Sequence, residues 1–157
     1  IPDIMTLAKS LGGGLPIGAM VVQRRLTDIF KPGMHASTFG GSPLVCKAAL
    51  GVFKAIESQK LLKNTRELGQ VAIQRFESWK EKFTCIKDVR GLGLMIGIEL
   101  TIPGAEIVQA CFEQGLLINC TQGNILRILP ALSITRKQME KAFAIMEDAI
   151  SKVTGKS

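Results

Sequence analysis

Val45, Ala48, Ala49, Val52 and Ile56 recur at intervals of three and four residues, the spacing that lines one face of an α-helix. Pro43 just ahead of them suits a first helical turn. Leu61, Leu68, Ala72, Phe76, Trp79 and Phe83 form a longer stripe and predict a long amphipathic helix. Its other positions carry Lys60, Lys63, Arg66, Arg75, Lys80 and Lys82 with Glu67, Glu77 and Glu81 among them, the pattern of a solvated face. Residues 105–114 predict a shorter helix stopped by Gly115. Met139, Phe143, Met146 and Ile150 give a last helix its buried side, and Thr135 with Gln138 three residues later reads as its capping box. Short apolar runs at residues 4–8, 18–23, 91–100, 116–119 and 125–129 predict strands. Met20, Val21 and Val22 suit a sheet covered on both faces. Pro32 and Gly33 open a loop that runs through Gly41.

Strands alternating with helices predict an α/β fold. The start of the long helix marks a domain change, giving residues 1–58 and 59–157. There is no internal repeat, and residues 154–157 are expected to fray.

With 157 residues, 46% of them hydrophobic, the chain is long enough to bury a core of its own. The formal charge of +7 raises nucleic acid as a partner, but the cations are interleaved with carboxylates rather than clustered, so nucleic-acid binding is not expected. No apolar run reaches the roughly 20 residues that span a bilayer. The first residues lack the basic and apolar regions of a secretory leader. A cytoplasmic protein follows, and the opening at Ile1 inside a motif reads as a fragment. Cys46, Cys85, Cys111 and Cys120 have no paired spacing, and there is one histidine, so metal is not expected. The cysteines read as buried reduced thiols.

Lys9 stands between an apolar run and a glycine cluster. Ile4, Met5, Leu7 and Leu11 could desolvate its amine, which would make it the nucleophile of a Schiff base. The glycines would admit a bulky ring to the backbone. The bland reading is a lysine snorkelling at the surface. Ser37 and Thr38, followed by Phe39, Gly40 and Gly41, either bring hydroxyls to a phosphate or form an ordinary turn. Arg127 interrupts the apolar run 125–129, and a buried guanidinium requires an anion there. That anion is a bound carboxylate or a protein Glu or Asp. Gly91, Gly93 and Gly97 do not form a dinucleotide fingerprint and read as close-packed strand glycines.

Four segments together resemble one family. They are residues 4–20 (IMTLAKSLGGGLPIGAM), 35–44 (HASTFGGSPL), 89–100 (VRGLGLMIGIEL) and 124–132 (NILRILPAL). In this order they resemble the C-terminal part of the class III aminotransferases, which depend on pyridoxal 5′-phosphate (PLP). The resemblance implies the end of the large domain of a fold type I PLP-dependent transferase in residues 1–58, and its small C-terminal α/β domain in 59–157. It implies that Lys9 holds PLP and shuttles a proton. Thr38 would bind the cofactor phosphate across a subunit boundary, Ser37 would touch substrate, and Arg127 would clamp a substrate carboxylate. His35 would lie near the subunit contact of a homodimer with shared active sites. The implied substrates are a small-molecule amino donor and 2-oxoglutarate. N-acetylornithine in arginine biosynthesis is the expected donor, with ornithine, succinylornithine, 4-aminobutyrate or N-acetyl-lysine as alternatives. A non-catalytic assembly module is the reading from another class. Ser42 departs from the family, which commonly has Asn there. The residues expected to complete the cofactor site are absent from 1–157, so the isolated fragment is expected to be inactive.

Overall fold

The computed structural model describes residues 1–155. Their contacts divide the chain into two compact units, Ile1–Lys60 and Leu61–Ser157.

The first unit opens with strands β1 (Ile4–Leu7) and β2 (Ala19–Val22), paired antiparallel with Ile4 opposite Val22. Between them Lys9–Gly12 form a 3-10 turn closed by Gly13 at φ 60°. The turn packs on helix α1 (Pro43–Ser58), and a side chain at Gly13 would stand 3.2 Å from Val52. Leu11, Val45 and Ala49 are buried, so the helical spacing read from the sequence does mark the inner face of α1. The expectation of a sheet covered on both faces is not met in this unit: Met20 is 48% and Val21 49% exposed. Two antiparallel strands cannot cover themselves. Arg24–Ile29 add a 3-10 segment that the apolar pattern does not announce.

In the second unit, helix α2 (Leu61–Lys82) leads into strands β3 (Ile86–Leu92) and β4 (Met95–Leu100). Helix α3 (Ala105–Glu113), strands β5 (Asn119–Thr121) and β6 (Ile125–Ile128), and helix α4 (Arg136–Thr154) follow. The sheet has the order β3-β4-β6-β5, antiparallel throughout. Two strand expectations are corrected here. Residues 91–100 are not one strand but the turn and arms of a hairpin, with Leu92 opposite Met95. Gly93, at φ 58°, takes the first place of its two-residue loop, where a II′ turn asks for glycine. Residues 116–118 precede β5 rather than forming it.

One face of this sheet is packed. Ile96, Ile98 and Leu100 alternate inward from β4 and meet Leu126 and Ile128 of β6 in the core. Phe76 and Trp79 of α2 join Phe143 of α4 over that face. Phe76 lies 5.1 Å from Trp79 and 5.3 Å from Phe143, both edge to face, the arrangement aromatic quadrupoles favour. The capping box is formed: Gln138 N–H donates to Thr135 Oγ1 at 3.3 Å and Thr135 N–H to Gln138 Oε1 at 2.9 Å. Of the tail expected to fray, Thr154 ends α4 and Gly155 caps it at φ 65°, while residues 156 and 157 lie outside the described residues.

Cys85 and Cys111 are buried, but Cys46 and Cys120 are only half-buried, which corrects the expectation for those two. Among the described residues no helix is long and apolar enough to cross a membrane.

Candidate active site

Lys9 is exposed at the start of its 3-10 turn, and its backbone sits at φ 54°. The left-handed conformation costs an L-residue with a Cβ roughly 1–2 kcal/mol. Such outliers concentrate at functional sites. The Lys9 Nζ takes part in no hydrogen bond or ion pair among the described residues. The expected desolvation is not supplied within this unit, because Ile4 and Met5 are 54% and 45% exposed and only Leu11 is buried.

Ser37 lies in a cavity of about 610 Å³ lined by Pro16–Met20, His35, Phe39, Gly40 and Gly41. The hydroxyls of Ser37 and Thr38 make no bond among the described residues. A Cβ on Gly40 would stand 2.9 Å from that of Ser37, so glycine at 40 lets the loop fold back on its own serine. Thr38 is adjacent but does not line the cavity, and neither does Lys9. Ser42 is the N-cap of α1 without a side-chain cap bond.

Arg127 belongs to the second unit. The expectation of a buried guanidinium is corrected: the side chain is exposed on the open face of the sheet, since Leu126 and Ile128 take the inward positions on either side of it. Its Nε donates to Asn119 Oδ1 at 3.1 Å. No carboxylate pairs with it among the described residues.

The neighbouring cations behave differently. Arg90 Nη1 donates to Asp88 at 2.8 Å and to Glu99 at 2.7 Å, and Lys87 Nζ donates to Glu99 at 2.6 Å. The Lys87 and Arg90 bonds hold the Glu99 carboxyl below its ordinary range, and Glu99, then Asp88, raise Arg90 in turn. Arg90, Gly91, Leu92, Met95, Gly97, Ile125 and Arg127 line a largely apolar cavity of about 470 Å³. Gly91 and Gly97 are close-packed as expected. A Cβ on Gly91 would meet the Met95 carbonyl oxygen at 2.5 Å, and one on Gly97 would meet Ile125 at 3.3 Å.

Asn119 was not legible as a site residue, because the sequence pattern ended its strand there. The signal that could have found it is the Gln122-Gly123 pair, both at positive φ, which turns β5 back so that Asn119 faces Arg127.

The chain has a mixed α/β fold that matches PLP-dependent aminotransferase structures. Residues 1–150 match the family described as Aminotransferase class-III, and the chain belongs to it. It is 44% identical over 154 residues to the acetylornithine aminotransferase of Methanocaldococcus jannaschii, covering 97% of this chain and 38% of that protein. Among solved structures it is similar to the acetylornithine aminotransferase from Elizabethkingia anophelis, at 35% identity and a TM-score of 0.89, covering 97% of this chain and 41% of that one. The ornithine aminotransferase from Toxoplasma gondii ME49 is 32% identical with a TM-score of 0.93, covering 99% and 38%. The chain therefore spans under two fifths of the length of the first curated relatives it matches.

Pyridoxal 5′-phosphate is the cofactor of this family, and a second structure of the Toxoplasma enzyme has it at the active site in partial occupancy. The residues present here fit the group: the Lys9 amine and the adjacent Ser37 and Thr38 hydroxyls make no bond among the described residues.

Proposed function

We propose that the whole protein moves an amino group from N-acetylornithine to 2-oxoglutarate with PLP, in arginine biosynthesis. The observation that carries this reading is Lys9, held at φ 54° with its amine in no bond among the described residues, because backbone outliers of this kind concentrate at functional sites. The likeness to acetylornithine aminotransferases across nearly the whole chain supports it.

PLP, when bound, supplies an electron sink for the carbon that loses or gains the nitrogen. Lys9 Nζ binds the cofactor and carries a proton to and from that carbon. Thr38 Oγ1 donates to the cofactor phosphate, and Ser37 Oγ to the substrate. Arg127 pairs its terminal nitrogens with the α-carboxylate of 2-oxoglutarate, a planar match that fixes the direction of entry. The protein acts as a homodimer with Ser37 and Thr38 reaching a neighbouring site, and works in the cytoplasm.

Borohydride reduction of the full-length protein with PLP should fix the cofactor mass on the peptide carrying Lys9, and Lys9→Ala should abolish that label. An unlabelled Lys9 peptide would favour the non-catalytic assembly module instead. The likeness to the Toxoplasma ornithine aminotransferase favours a second donor, ornithine. A kcat/KM for ornithine above that for N-acetylornithine would replace the first reading with this one.

A further inference from the structure

Four positions make one row across the open face of the second unit's sheet. Arg90 on β3 stands opposite Gly97 on β4, Gly97 opposite Arg127 on β6, and Arg127 opposite Asn119 on β5. The two arginines thus flank a position with no side chain. Arg90 is discharged by Asp88 and Glu99, while Arg127 meets a neutral amide oxygen through Nε alone. Its two terminal nitrogens have no bond among the described residues, and it borders the cavity that Gly97 leaves open.

We propose that Asn119 is a positioning residue for substrate recognition: it holds Arg127 by Nε so that the terminal nitrogens face an incoming carboxylate, without neutralising the charge. The proposal rests on the reading of Arg127 as the carboxylate clamp. A neutral acceptor is what this task needs. An aspartate there would keep the bond and discharge the arginine, as Asp88 and Glu99 do for Arg90. An apolar residue would leave the guanidinium to sample several rotamers, and ordering it would weaken binding. Gly97 completes the device, since any larger side chain between the arginines would project into the space the carboxylate enters.

The test compares two amino acceptors on the full-length holoenzyme. 2-Oxoglutarate and 4-oxobutanoate differ only in the α-carboxylate. Asn119→Ala and Asn119→Asp should each lower kcat/KM for 2-oxoglutarate by about tenfold, the ordinary weight of one hydrogen bond to a charged group, and leave 4-oxobutanoate unchanged. The loss should fall mainly on KM. Competition by glutarate, followed by a change in cofactor absorbance without turnover, should weaken in parallel. Asn119 is exposed on an edge strand, so both variants are expected to fold. Equal losses for the two acceptors, or no loss, would overturn the proposal. Arg127→Ala separates the two readings: if it too leaves the acceptor ratio unchanged, the carboxylate clamp itself is wrong. If it collapses the ratio while the Asn119 variants do not, only the role of Asn119 falls.

Discussion

Gly69, on the inner side of α2, lies against the main chain of Gly93 in the β3–β4 turn so closely that a methyl group at position 69 would stand 2.5 Å from the Gly93 carbonyl carbon. The turn is backbone and cannot step aside, so the helix and the hairpin approach through two glycines. Gly69→Ala gains about 1 kcal/mol in helix propensity, and overpacking costs about 3 kcal/mol, leaving a net loss of about 2 kcal/mol. A lower urea midpoint for the full-length variant is the expected result. An unchanged or higher midpoint would mean the contact is slack.

The reciprocal bonds between Thr135 and Gln138 fix the start of α4. Thr135→Ala should cost about 1 kcal/mol, while Thr135→Ser, which keeps the acceptor, should be close to neutral. Hydrogen exchange of the Gln138 amide should quicken in the alanine variant alone.

Glu99 receives Lys87 and Arg90 together, and its carboxyl is held below its ordinary 4.5. A depressed folded-state value means that the unfolded chain takes up the proton first. The stabilisation is complete above about 4.5 and is lost as pH falls through the lower folded value. In Glu99→Gln that part of the acid dependence should vanish, so the gap between the proteins closes at low pH. NMR titration of the Glu99 carboxyl carbon checks the direction, and a midpoint above 4.5 would contradict it.

Burial pushes the Cys111 thiol up to about 11, so it is almost wholly protonated near neutrality and poorly nucleophilic. Cys120 is only half-buried. Iodoacetamide applied to the native protein should therefore modify Cys120 well before Cys111, and urea should bring the two rates together. Equal native rates would show that α3 opens readily.

The helices were legible because their burial follows the 3.6-residue period: Val45 and Ala49, Phe76 and Trp79, Phe143 and Met146 all point where the pattern put them. The hairpin was not, because Leu92, Leu94 and Met95 are apolar on both sides of its turn. Leu92 and Met95 are 89% and 60% exposed, so composition there says nothing of direction, and only the positive φ of Gly93 marks the reversal. At the candidate site, the apolar neighbours of Lys9 do not cover it within this unit. Periodicity reports which face is apolar, not what covers it. Arg127 was read as buried because its flanks are apolar, yet alternation along β6 turns a residue between two inward neighbours outward.

The left-handed backbone at position 9 sets chemistry against comfort. Glycine adopts φ 54° without penalty, so with cofactor left out of both samples Lys9→Gly should melt later than the parent while losing the amine. A laboratory selection that rewarded heat tolerance alone would therefore erode this position early, and one that also rewarded turnover would keep the lysine if its amine holds the cofactor as proposed.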